Sequence, residues 1–290
     1  MNSDLHVAAL AALAHPDRLA VFRLLARRAP DGVRPTEIAA ALGLKPNTLS
    51  GHVHALTDAG LARTWRDGKA VFYSIDLGAV GGLVEYLVAD CCRGRPDVCA
   101  PAAARLASNP NPGGADMANR TYNALFICTG NSARSIFAEA ILAKEGGGRF
   151  NAFSAGTRPS TGLNPFAVEI LERMGHDVSD LRAKHIAAFQ AEDAPRLDFV
   201  FTVCDQAANE ECPPWPGQTL TAHWGLPDPV KAAGAEAERA LAFRQAYGAL
   251  ERRIRAFVAL PLASLDRISL QTRLDAIGRE ADAPADEAAG

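Results

Sequence analysis

The sequence lacks the features that mark a secreted or membrane-bound protein. Its one early apolar run, residues 7–14, is interrupted at once by His15, Pro16, Asp17 and Arg18. A run this short fits neither the core of a signal peptide nor a membrane span, which takes about 20 apolar residues. We therefore expect a cytoplasmic protein without a membrane partner.

The sequence also has little excess of either charge, with 30 Lys and Arg against 33 Asp and Glu. Its N-terminal part is not strongly basic, so any affinity for nucleic acid must come from local cations and not from a global field. A hydrophobic fraction of 48% is that of an ordinary soluble protein, and there is no internal repeat. The length of 290 residues allows about two domains.

The cysteines fall into two groups, one at Cys91, Cys92 and Cys99 and one at Cys128, Cys204 and Cys212. Thiols stay reduced in the cytoplasm, where they are more often catalytic, redox-active or metal-binding than joined in structural disulfides. A stretch rich in Ala, Pro, Asn and Gly separates the two groups and predicts a linker. We predict four segments: a first domain at 1–99, a linker at 100–120, a second domain at 121–262 and an extension at 263–290 whose acidic end is disordered.

A short loop from Cys128 to Arg134 carries the strongest chemical signal. The residues before it, 122–127, predict a buried strand, and the residues after it, 135–142, predict a helix. Free backbone N–H groups and the helix dipole converge in such a loop and make it an anion cradle. We expect Cys128 to lie there as a nucleophilic thiolate and Arg134 to bind two oxygens of a tetrahedral oxyanion. The alternative is a structural cysteine followed by a surface arginine.

Two further features of the second half fit the same chemistry. Residues 199–203 predict a buried strand ending at Cys204, and Cys212 follows after a polar stretch. A mobile segment can carry one thiol into the loop and later bring the two together, although both can also be cysteines that only pack. Asp228 precedes a proline and can act as a general acid, although most Asp-Pro pairs are only turns.

Strand-like and helical runs alternate through the second domain and predict a parallel sheet flanked by helices. These runs are 124–127, 136–144, 151–154, 165–174, 199–203 and 236–258. The reactive loop then follows the first strand at its carboxyl end, where open α/β sheets place their ligands.

The first domain has the pattern of a winged helix-turn-helix. A short helix at 35–42 stops at Gly43, and Pro46 suits the start of a second helix. The second helix carries small or polar residues away from its apolar face, and Asp67-Gly68 predicts a hairpin with basic residues. The candidate DNA-binding residues are Asn47, Thr48, Ser50, Gly51, His54, Arg63, Arg66 and Lys69. The alternative is a helical scaffold that carries a hairpin.

Residues 5–95 resemble the ArsR-type metalloregulatory repressors. The matching runs are His15-Pro-Asp-Arg-Leu, Asn47-Thr-Leu-Ser-Gly-His-Val, Leu56-Thr-Asp-Ala-Gly-Leu and Gly68-Lys-Ala-Val-Phe-Tyr. The resemblance implies a homodimer that leaves its operator DNA when a metal or metalloid binds.

Three thiols follow the last predicted helix of this domain, 77–90. Cys91, Cys92 and Cys99 have no histidine or carboxylate at matching spacing, which favours a soft, three-coordinate guest such as arsenite or antimonite. A loose group of surface thiols is the alternative. Some ArsR-type repressors carry a similar arsenite site here, and the Cys-x-Cys pair that others place before the recognition helix is absent from 36–42.

Residues 121–260 resemble the low-molecular-weight tyrosine phosphatases, and specifically their arsenate reductase branch. The matching features are Cys-x5-Arg-Ser from Cys128, the pair Cys204 and Cys212, and His223-Trp-Gly-Leu-Pro-Asp-Pro. The resemblance implies that Asn131 braces the loop and that Ser135 donates to the thiolate. The substrate-binding loop comprises Thr129, Gly130, Asn131, Ser132, Ala133 and Ser135, and Ala133 stands where some reductases have an extra cysteine.

The prediction is an arsenic-responsive repressor fused to an arsenate reductase. Cys128, Cys204 and Cys212 form a thiol relay that turns arsenate into arsenite without a metal or flavin cofactor. Arg134 holds the oxyanion, Asp228 protonates the departing hydroxyl, and a thioredoxin-like thiol reductant restores the enzyme. The rivals are a tyrosine phosphatase fused to a DNA-binding domain and a repressor whose second domain is not catalytic.

Overall fold

The computed structural model describes residues 3–91, 120–191, 193–210, 215 and 219–279. They form two compact units, each with its own hydrophobic core. Apart from residue 120, the predicted linker lies outside the described residues, and so does the acidic end, 280–290. The predicted domain boundaries and the predicted disorder therefore stay predictions.

Within residues 3–91, the first unit shows five α-helices, one hairpin and a π-helical segment. Its elements are α1 (Ser3–Leu13), α2 (Pro16–Arg28), α3 (Pro35–Leu42), α4 (Pro46–Asp58), β1 (Ala62–Asp67), β2 (Ala70–Ile75) and α5 (Leu77–Glu85).

The predicted helix-turn-helix is formed by α3 and α4. Gly43 has a φ of 64°, in the left-handed region that lets glycine end a helix, and Pro46 is at the start of α4. The apolar face of α4, which carries Leu49, Val53 and Leu56, is buried in the core. This burial fixes the orientation of α4 and leaves its polar face toward solvent.

The predicted hairpin is present, but its turn lies one residue further along the chain than Asp67-Gly68. Asp67 pairs with Ala70, so the two loop residues are Gly68 and Lys69. Gly68 has a φ of 55°, which suits a two-residue turn with glycine at its first central position. Lys69 therefore lies at the tip of the hairpin.

The last predicted helix is present in a modified form. Asp76 caps α5 by accepting the N–H of Ala79 at 2.9 Å. The α-helical geometry ends at Glu85, and a π-helical segment, Tyr86–Cys91, completes the run. Cys91 is thus at the end of the described part of this unit.

The second unit is an α/β domain. Its elements are β3 (Tyr122–Cys128), α6 (Arg134–Glu145), β4 (Phe150–Gly156), α7 (Pro165–Arg173), β5 (Phe199–Thr202), α8 (Asp205–Asn209), β6 (Leu220–His223), α9 (Glu236–Val258) and α10 (Arg267–Arg279), with 3-10 turns at Ile186–Phe189 and Pro229–Lys231.

The four strands form a parallel sheet in the order β4-β3-β5-β6, as the alternating pattern predicted. Phe126, Phe201 and Trp224 are fully buried on it, and the rings of Phe201 and Trp224 stack with their centroids 4.0 Å apart. Phe257, near the end of α9, packs edge-on against Phe201 at 5.2 Å. This aromatic cluster anchors the strands whose carboxyl ends carry the candidate site.

Three elements of this unit, α8, β6 and α10, were not predicted from the sequence, and α8 lies in the stretch after Cys204 that was expected to be flexible. Residue Leu274 of α10 is buried, and its carbonyl accepts the indole N–H of Trp224 at 3.0 Å. An ideal Cβ at Gly278 would lie 2.4 Å from the carbonyl oxygen of His223, so only glycine permits this close approach. Part of the predicted C-terminal extension is therefore a helix that covers the edge strand β6.

Within the described residues, no helix combines the length and the apolar character needed to span a bilayer.

Candidate active site

The loop after β3 lies where the strand order of the sheet reverses. β4 pairs with one edge of β3 and β5 pairs with the other, so the connections lead to opposite sides. Open parallel sheets bind ligands beside such a point, because the diverging connections leave a crevice at the carboxyl ends of the strands. Residues 129–133, which join β3 to α6, occupy that position.

The carbonyl groups of the loop accept hydrogen bonds, whereas several of its backbone N–H groups have no acceptor among the described residues. Four carbonyls accept hydrogen bonds from the segment 157–164: Cys128 O from Thr157 N (3.1 Å), Thr129 O from Arg158 N (2.9 Å), Gly130 O from Ser160 N (2.8 Å) and Ser132 O from Asn164 N (2.9 Å). The N–H groups of Gly130, Ser132 and Ala133 find no acceptor among the described residues. Donors left free next to the N-terminus of α6 can bind a tetrahedral anion.

The shape of the loop depends on two backbone positions. Asn131 has a φ of 45°, in the left-handed region that few non-glycine residues adopt. An ideal Cβ at Gly156 would lie 2.7 Å from Thr129 O and 3.0 Å from Asn131 Cβ, so a side chain there would displace the loop. The strained turn points the N–H of Asn131 at the sulfur of Cys128, 3.1 Å away.

The thiol of Cys128 is buried beneath this loop, with only 4% of the residue exposed. Burial raises the pKa of Cys128, the hydrogen bond with Ser135 lowers it, and the neighbouring Cys204 raises it again. The net pKa is raised, because loss of solvent penalises the anion more than its hydrogen bonds stabilise it. The direction of this shift opposes the expected resting thiolate, which stays a prediction.

Arg134 and Asp228 are brought together by the fold. One nitrogen of the Arg134 guanidinium donates to the carbonyl of Leu226 at 2.8 Å, and the other pairs with the Asp228 carboxylate at 3.0 Å. Asp228 also caps the 3-10 turn Pro229–Lys231. The pair offsets the positive charge of Arg134 beside the loop.

Cys204 lies directly beyond β5, next to the strand that carries Cys128. The residue is 2% exposed, and its sulfur lies 3.5 Å from the hydroxyl of Thr129 and 3.4 Å from the N–H of Ala207. Two of the three thiols of the predicted relay are thus neighbours in the fold. Cys212, the third, lies outside the described residues.

A set of buried polar residues lies behind the loop; Asn131 and Ser135 were expected in these roles, whereas the link from them to Lys184 was not predicted. The side-chain amide nitrogen of Asn131 donates to Ser135 Oγ at 2.9 Å and to Ser154 Oγ at 2.8 Å. Ser154 in turn donates to Glu139 at 2.5 Å, and Glu139 pairs with Lys184 at 2.9 Å. No local sequence signal marks Lys184, because its partners come from distant positions in the chain.

A second missed contact flanks Cys204. The ring of His223 lies 2.9 Å from Asp205 through Nε2 and 2.8 Å from the hydroxyl of Thr202 through Nδ1. An ideal Cβ at Gly225 would lie 2.4 Å from His223 Nε2, so glycine is required beside this pair. The His223-Trp-Gly run was a signal for this contact, although only its aspartate was assigned a role.

In the first unit, the predicted DNA-binding residues lie on the surface. Solvent reaches Asn47, Thr48, Ser50, Gly51 and His54 on α4, and Arg63, Arg66 and Lys69 on the hairpin. The guanidinium of Arg63 lies over the Trp65 ring at 5.6 Å. The unit therefore presents a polar helix face together with three cations on a hairpin.

The predicted arsenite site lies at the limit of the described residues. Cys91 is exposed and carries a free thiol at the end of the π-helical segment. Cys92 and Cys99 lie outside the described residues, so the grouping of the three thiols stays a prediction.

Among the described residues, the group His15, Asp17 and His52 brings nitrogen and carboxylate ligands within 4.8 Å of one another. The backbone N–H of Asp17 donates to His15 Nδ1 at 3.1 Å, so the proton of the neutral ring is on Nε2. Neither ring nitrogen of His15 then offers a free lone pair, and this group does not fit a three-ligand metal site as it stands.

The geometry of the loop agrees with comparisons to known proteins. The sequence model for low molecular weight phosphotyrosine protein phosphatases matches residues 123–269, and a helix-turn-helix domain matches residues 13–64. The arsenate reductase of Bacillus licheniformis is 38% identical over 132 residues, which are 46% of this chain and 91% of the relative. The arsenate reductase of Halalkalibacterium halodurans is 36% identical with the same coverage.

Among solved structures, a thioredoxin-dependent arsenate reductase of Corynebacterium glutamicum is similar to this chain at 25% identity. The match has a TM-score of 0.35 and covers 54% of this chain and 68% of that chain.

The family match spans the whole site, from β3 through the reactive loop and Cys204 to Asp228, and continues into α10. Through this half, the chain belongs to the low molecular weight phosphotyrosine protein phosphatase family and, within it, to the arsenate reductases.

Proposed function

We propose that this chain is a cytoplasmic, arsenic-responsive repressor fused to an arsenate reductase that works through three thiols. The observation that carries the catalytic part is the arrangement around Cys128. Its sulfur lies beneath a loop with three free N–H donors, and Ser135 hydrogen-bonds to it at 2.9 Å. This arrangement suits a nucleophile that attacks a tetrahedral oxyanion held by the loop.

In the first step, arsenate occupies the loop and takes the guanidinium of Arg134 from Asp228. The displaced carboxylate of Asp228 then lies beside the oxyanion, where it takes up the proton released by the Cys128 thiol and passes it to the departing hydroxyl. Cys128 attacks arsenic as a thiolate, and the hydroxyl leaves as water. The product is a covalent adduct in which sulfur is bonded to pentavalent arsenic.

In the second step, the thiolate of Cys204 attacks the sulfur of Cys128. A Cys128–Cys204 disulfide forms, the sulfur–arsenic bond breaks, and its electron pair reduces arsenic to the trivalent state. Cys212 then attacks Cys204, and Cys128 leaves as a thiolate. The resulting Cys204–Cys212 disulfide is reduced by an external dithiol such as thioredoxin, which supplies the two electrons.

The buried state of Cys128 bears on the first step. Because burial raises the pKa of its thiol, the nucleophile must lose its proton as substrate binds. The pairing of Arg134 with Asp228 supports this order of events, since an arriving oxyanion exchanges one partner of Arg134 for another. Deprotonation and substrate binding are then parts of a single transition.

The first unit is the repressor in this proposal. The exposed polar residues of α4 read base edges in the major groove, and Arg63, Arg66 and Lys69 contact phosphates. Two copies pair through apolar side chains that are exposed on α1 and on the run from α5 to Cys91, namely Leu5, Val7, Leu10, Val84 and Val88. Apolar patches of this kind are typical of protein interfaces.

Arsenite or antimonite is the ligand proposed for the three thiols that begin at Cys91. The support is the exposed thiol at the helix end, together with the soft three-sulfur donor set of the sequence. Binding there, next to the proposed dimer face, releases the protein from its operator.

The position of Cys204 favours reduction over tyrosine phosphatase activity, because a phosphatase has no use for a second thiol beside Thr129. The test is thiol mapping by mass spectrometry of the reduced full-length protein after exposure to arsenate. A Cys204–Cys212 disulfide is expected. Turnover of a phosphotyrosine substrate that is equal in Cys204→Ser and wild type, with no disulfide after arsenate, would support the phosphatase. No turnover of either oxyanion would support a non-catalytic second domain.

A further inference from the structure

Lys184 and Glu139 form an ion pair that is almost closed to solvent. Their side chains are 17% and 12% exposed, and Lys184 Nζ lies 2.9 Å and 3.0 Å from the two carboxylate oxygens. Neither side chain touches the sulfur of Cys128 or belongs to the loop. Taking two charges out of water is costly, so such a pair is weak evidence for a purely stabilising role.

The pair is the outer end of a chain of hydrogen bonds that we call the loop relay. Its members, from the outside inward, are Lys184, Glu139, Ser154, Asn131 and Ser135. The inner end is the sulfur of Cys128, 2.9 Å from Ser135 Oγ.

Each bond of the outer half has a single permitted direction. Both carboxylate oxygens of Glu139 accept from the ammonium of Lys184, and a carboxylate can only accept. The hydroxyl of Ser154 must therefore donate its one proton to Glu139, and the two oxygens lie 2.5 Å apart. The Ser154 oxygen is left as an acceptor, and it receives an N–H of Asn131 at 2.8 Å.

The inner half of the relay, from Asn131 to Ser135, runs in the same direction. The backbone N–H of Lys184 donates to Asn131 Oδ1 at 2.7 Å, so the other end of the amide must be the NH2 group. Its second N–H goes to Ser135 Oγ at 2.9 Å. Ser135 thus accepts from Asn131, and its own proton is directed at the sulfur of Cys128.

We propose that Lys184 is a positioning residue for arsenate reduction: its backbone N–H and its ammonium together set the direction of the loop relay, so that Ser135 donates to the sulfur of Cys128. The proposal rests on the proposed role of Cys128 as the nucleophile. Without the ammonium, or with glutamine in place of Glu139, the partner of Ser154 is no longer restricted to accepting, and the Ser154 hydroxyl can reverse. The backbone N–H of residue 184 is then the one relay contact left to hold the NH2 group of Asn131 toward Ser135. The donor to the reacting sulfur is less firmly fixed even though every residue of the loop is still present.

Among the described residues, the other ionisable groups at the site are Cys204, which acts on Cys128, and the pair Arg134 and Asp228. All three are unchanged in the variants below. A change in the reactivity of Cys128 then reports on the relay.

The experiment compares full-length wild type with Lys184→Met. The rate of alkylation of Cys128 by iodoacetamide is followed against pH by peptide mass spectrometry, and kcat and KM for arsenate are measured in parallel. We expect the alkylation profile of the variant to move to higher pH, because a thiolate without its donor is harder to form. We expect kcat/KM near neutral pH to fall at least about tenfold, as for the loss of a hydrogen bond to a charged group.

Lys144→Met is the matched control. Lys144 lies on the same helix as Glu139, but its ammonium is exposed and donates to the carbonyl of Met174 at 2.7 Å. Both the alkylation profile and kcat/KM are expected to match wild type. A shift in this control equal to that in Lys184→Met would overturn the proposal, because removal of any nearby cation would then be sufficient.

Glu139→Gln and the double variant Lys184→Met/Glu139→Gln separate positioning from folding. The double variant has no unpaired buried charge, so its unfolding temperature should recover relative to Lys184→Met while its alkylation profile stays shifted. Glu139→Gln alone, which keeps Lys184, should shift the profile in the same direction. This variant decides the question if Lys184→Met does not fold.

The proposal is contradicted if Glu139→Gln has the alkylation profile of wild type. It is also contradicted if the double variant recovers that profile together with its stability. In either case the ion pair is only structural. The role of Cys128 is checked separately with Cys128→Ser. If that variant still reduces arsenate, the proposed function fails. If it is inactive and the relay variants behave as wild type, only this inference fails.

Discussion

In the proposed function both units use cations and thiols to bind their ligands, and the two sets of side chains lie at opposite extremes of exposure. In the first unit the cations Arg63, Arg66 and Lys69 and the thiol of Cys91 are all open to solvent. In the second unit Arg134 and the thiol of Cys128 are buried.

The difference follows from the size and the chemistry of the ligand. A DNA backbone is long, and it is bound by many weak contacts that exchange with counterions, so flexible exposed cations suffice. A single tetrahedral oxyanion must be held while bonds form and break, which needs fixed donors in a water-poor site. The cost is visible at Cys128, where burial raises the pKa of the nucleophile.

The largest expected effect separates the buried thiol from the exposed one. Cys128→Ser should lower arsenate reduction by at least about a thousandfold, as losses of catalytic nucleophiles do, because serine is not activated at this site. Cys91→Ser should leave turnover unchanged. Arsenite production in the presence of a reductant measures both. Comparable turnover in the two variants would remove the catalytic distinction between them.

Cys212→Ser tests whether the buried thiols Cys128 and Cys204 pass their disulfide on to Cys212. The variant should complete about one turnover and then stall, because Cys204 can reduce the adduct but nothing frees Cys128. Single-turnover arsenite formation and intact-protein mass spectrometry report the trapped Cys128–Cys204 disulfide. Sustained turnover driven by thioredoxin would exclude Cys212 from the mechanism.

The third prediction joins the two thiol sites. Added arsenite should release wild type from operator DNA, whereas arsenate should do so only when Cys128 is intact and a reductant is present. Cys92→Ser should resist both oxyanions, since a three-thiol site loses a ligand. Operator occupancy is the measurement. Cys128→Ser is the control, because it should make no arsenite to supply the sensor thiols. If arsenate with reductant releases Cys128→Ser as well as wild type, the enzyme does not supply the sensor.

A smaller effect is expected for the exposed cations. Lys69→Ala or Arg66→Ala should weaken binding several-fold across DNA sequences and lower the salt dependence by about one unit of slope for each cation removed. Substitution of Ser50 or His54 should change sequence preference instead. Titrations of residues 1–99 at several salt concentrations give both quantities. A salt slope that equals wild type would place these cations away from phosphate.

The smallest effect is a shift in pH dependence at the buried thiol. The hydrogen bond with Ser135 lowers the pKa of Cys128 and opposes the effect of burial, so Ser135→Ala should raise it further. A thiolate nucleophile gains activity as pH rises through its pKa, and the acid limb of kcat/KM should therefore move to higher pH. Ser160→Ala, beyond the loop, is the control. An unmoved acid limb would mean that Ser135 does not contact the sulfur during catalysis.

Local patterns were read correctly from the sequence because their causes are local. The period of Leu49, Val53 and Leu56 predicted the buried face of α4, and Gly43 predicted the end of α3. The run from β3 through the reactive loop to α6 was likewise predicted within a few residues. The hairpin turn was misplaced by one residue, because Asp67-Gly68 and Gly68-Lys69 are both acceptable turn sequences.

What the sequence did not show involves contacts between distant residues. The expected thiolate at Cys128 followed from the loop motif alone, whereas burial by the whole domain and the neighbouring Cys204 raise the pKa of this thiol. β6 is four residues long, too short for a periodic signal to stand out. The helix α10 was missed because it was taken as part of an extension with no core to pack on.

The sequence by itself determined the class of chemistry, because a nucleophile, its loop and its arginine lie within eight consecutive residues and need only a strand and a helix to present them. Only the tertiary structure decided which groups surround the reactive thiol and its arginine. It placed Cys204 beside the loop, paired Arg134 with Asp228, and put Lys184 behind Glu139 at the end of the loop relay. Charge and hydrogen-bond direction at a buried atom depend on every group around it, and those groups are gathered by folding from positions that no local pattern connects.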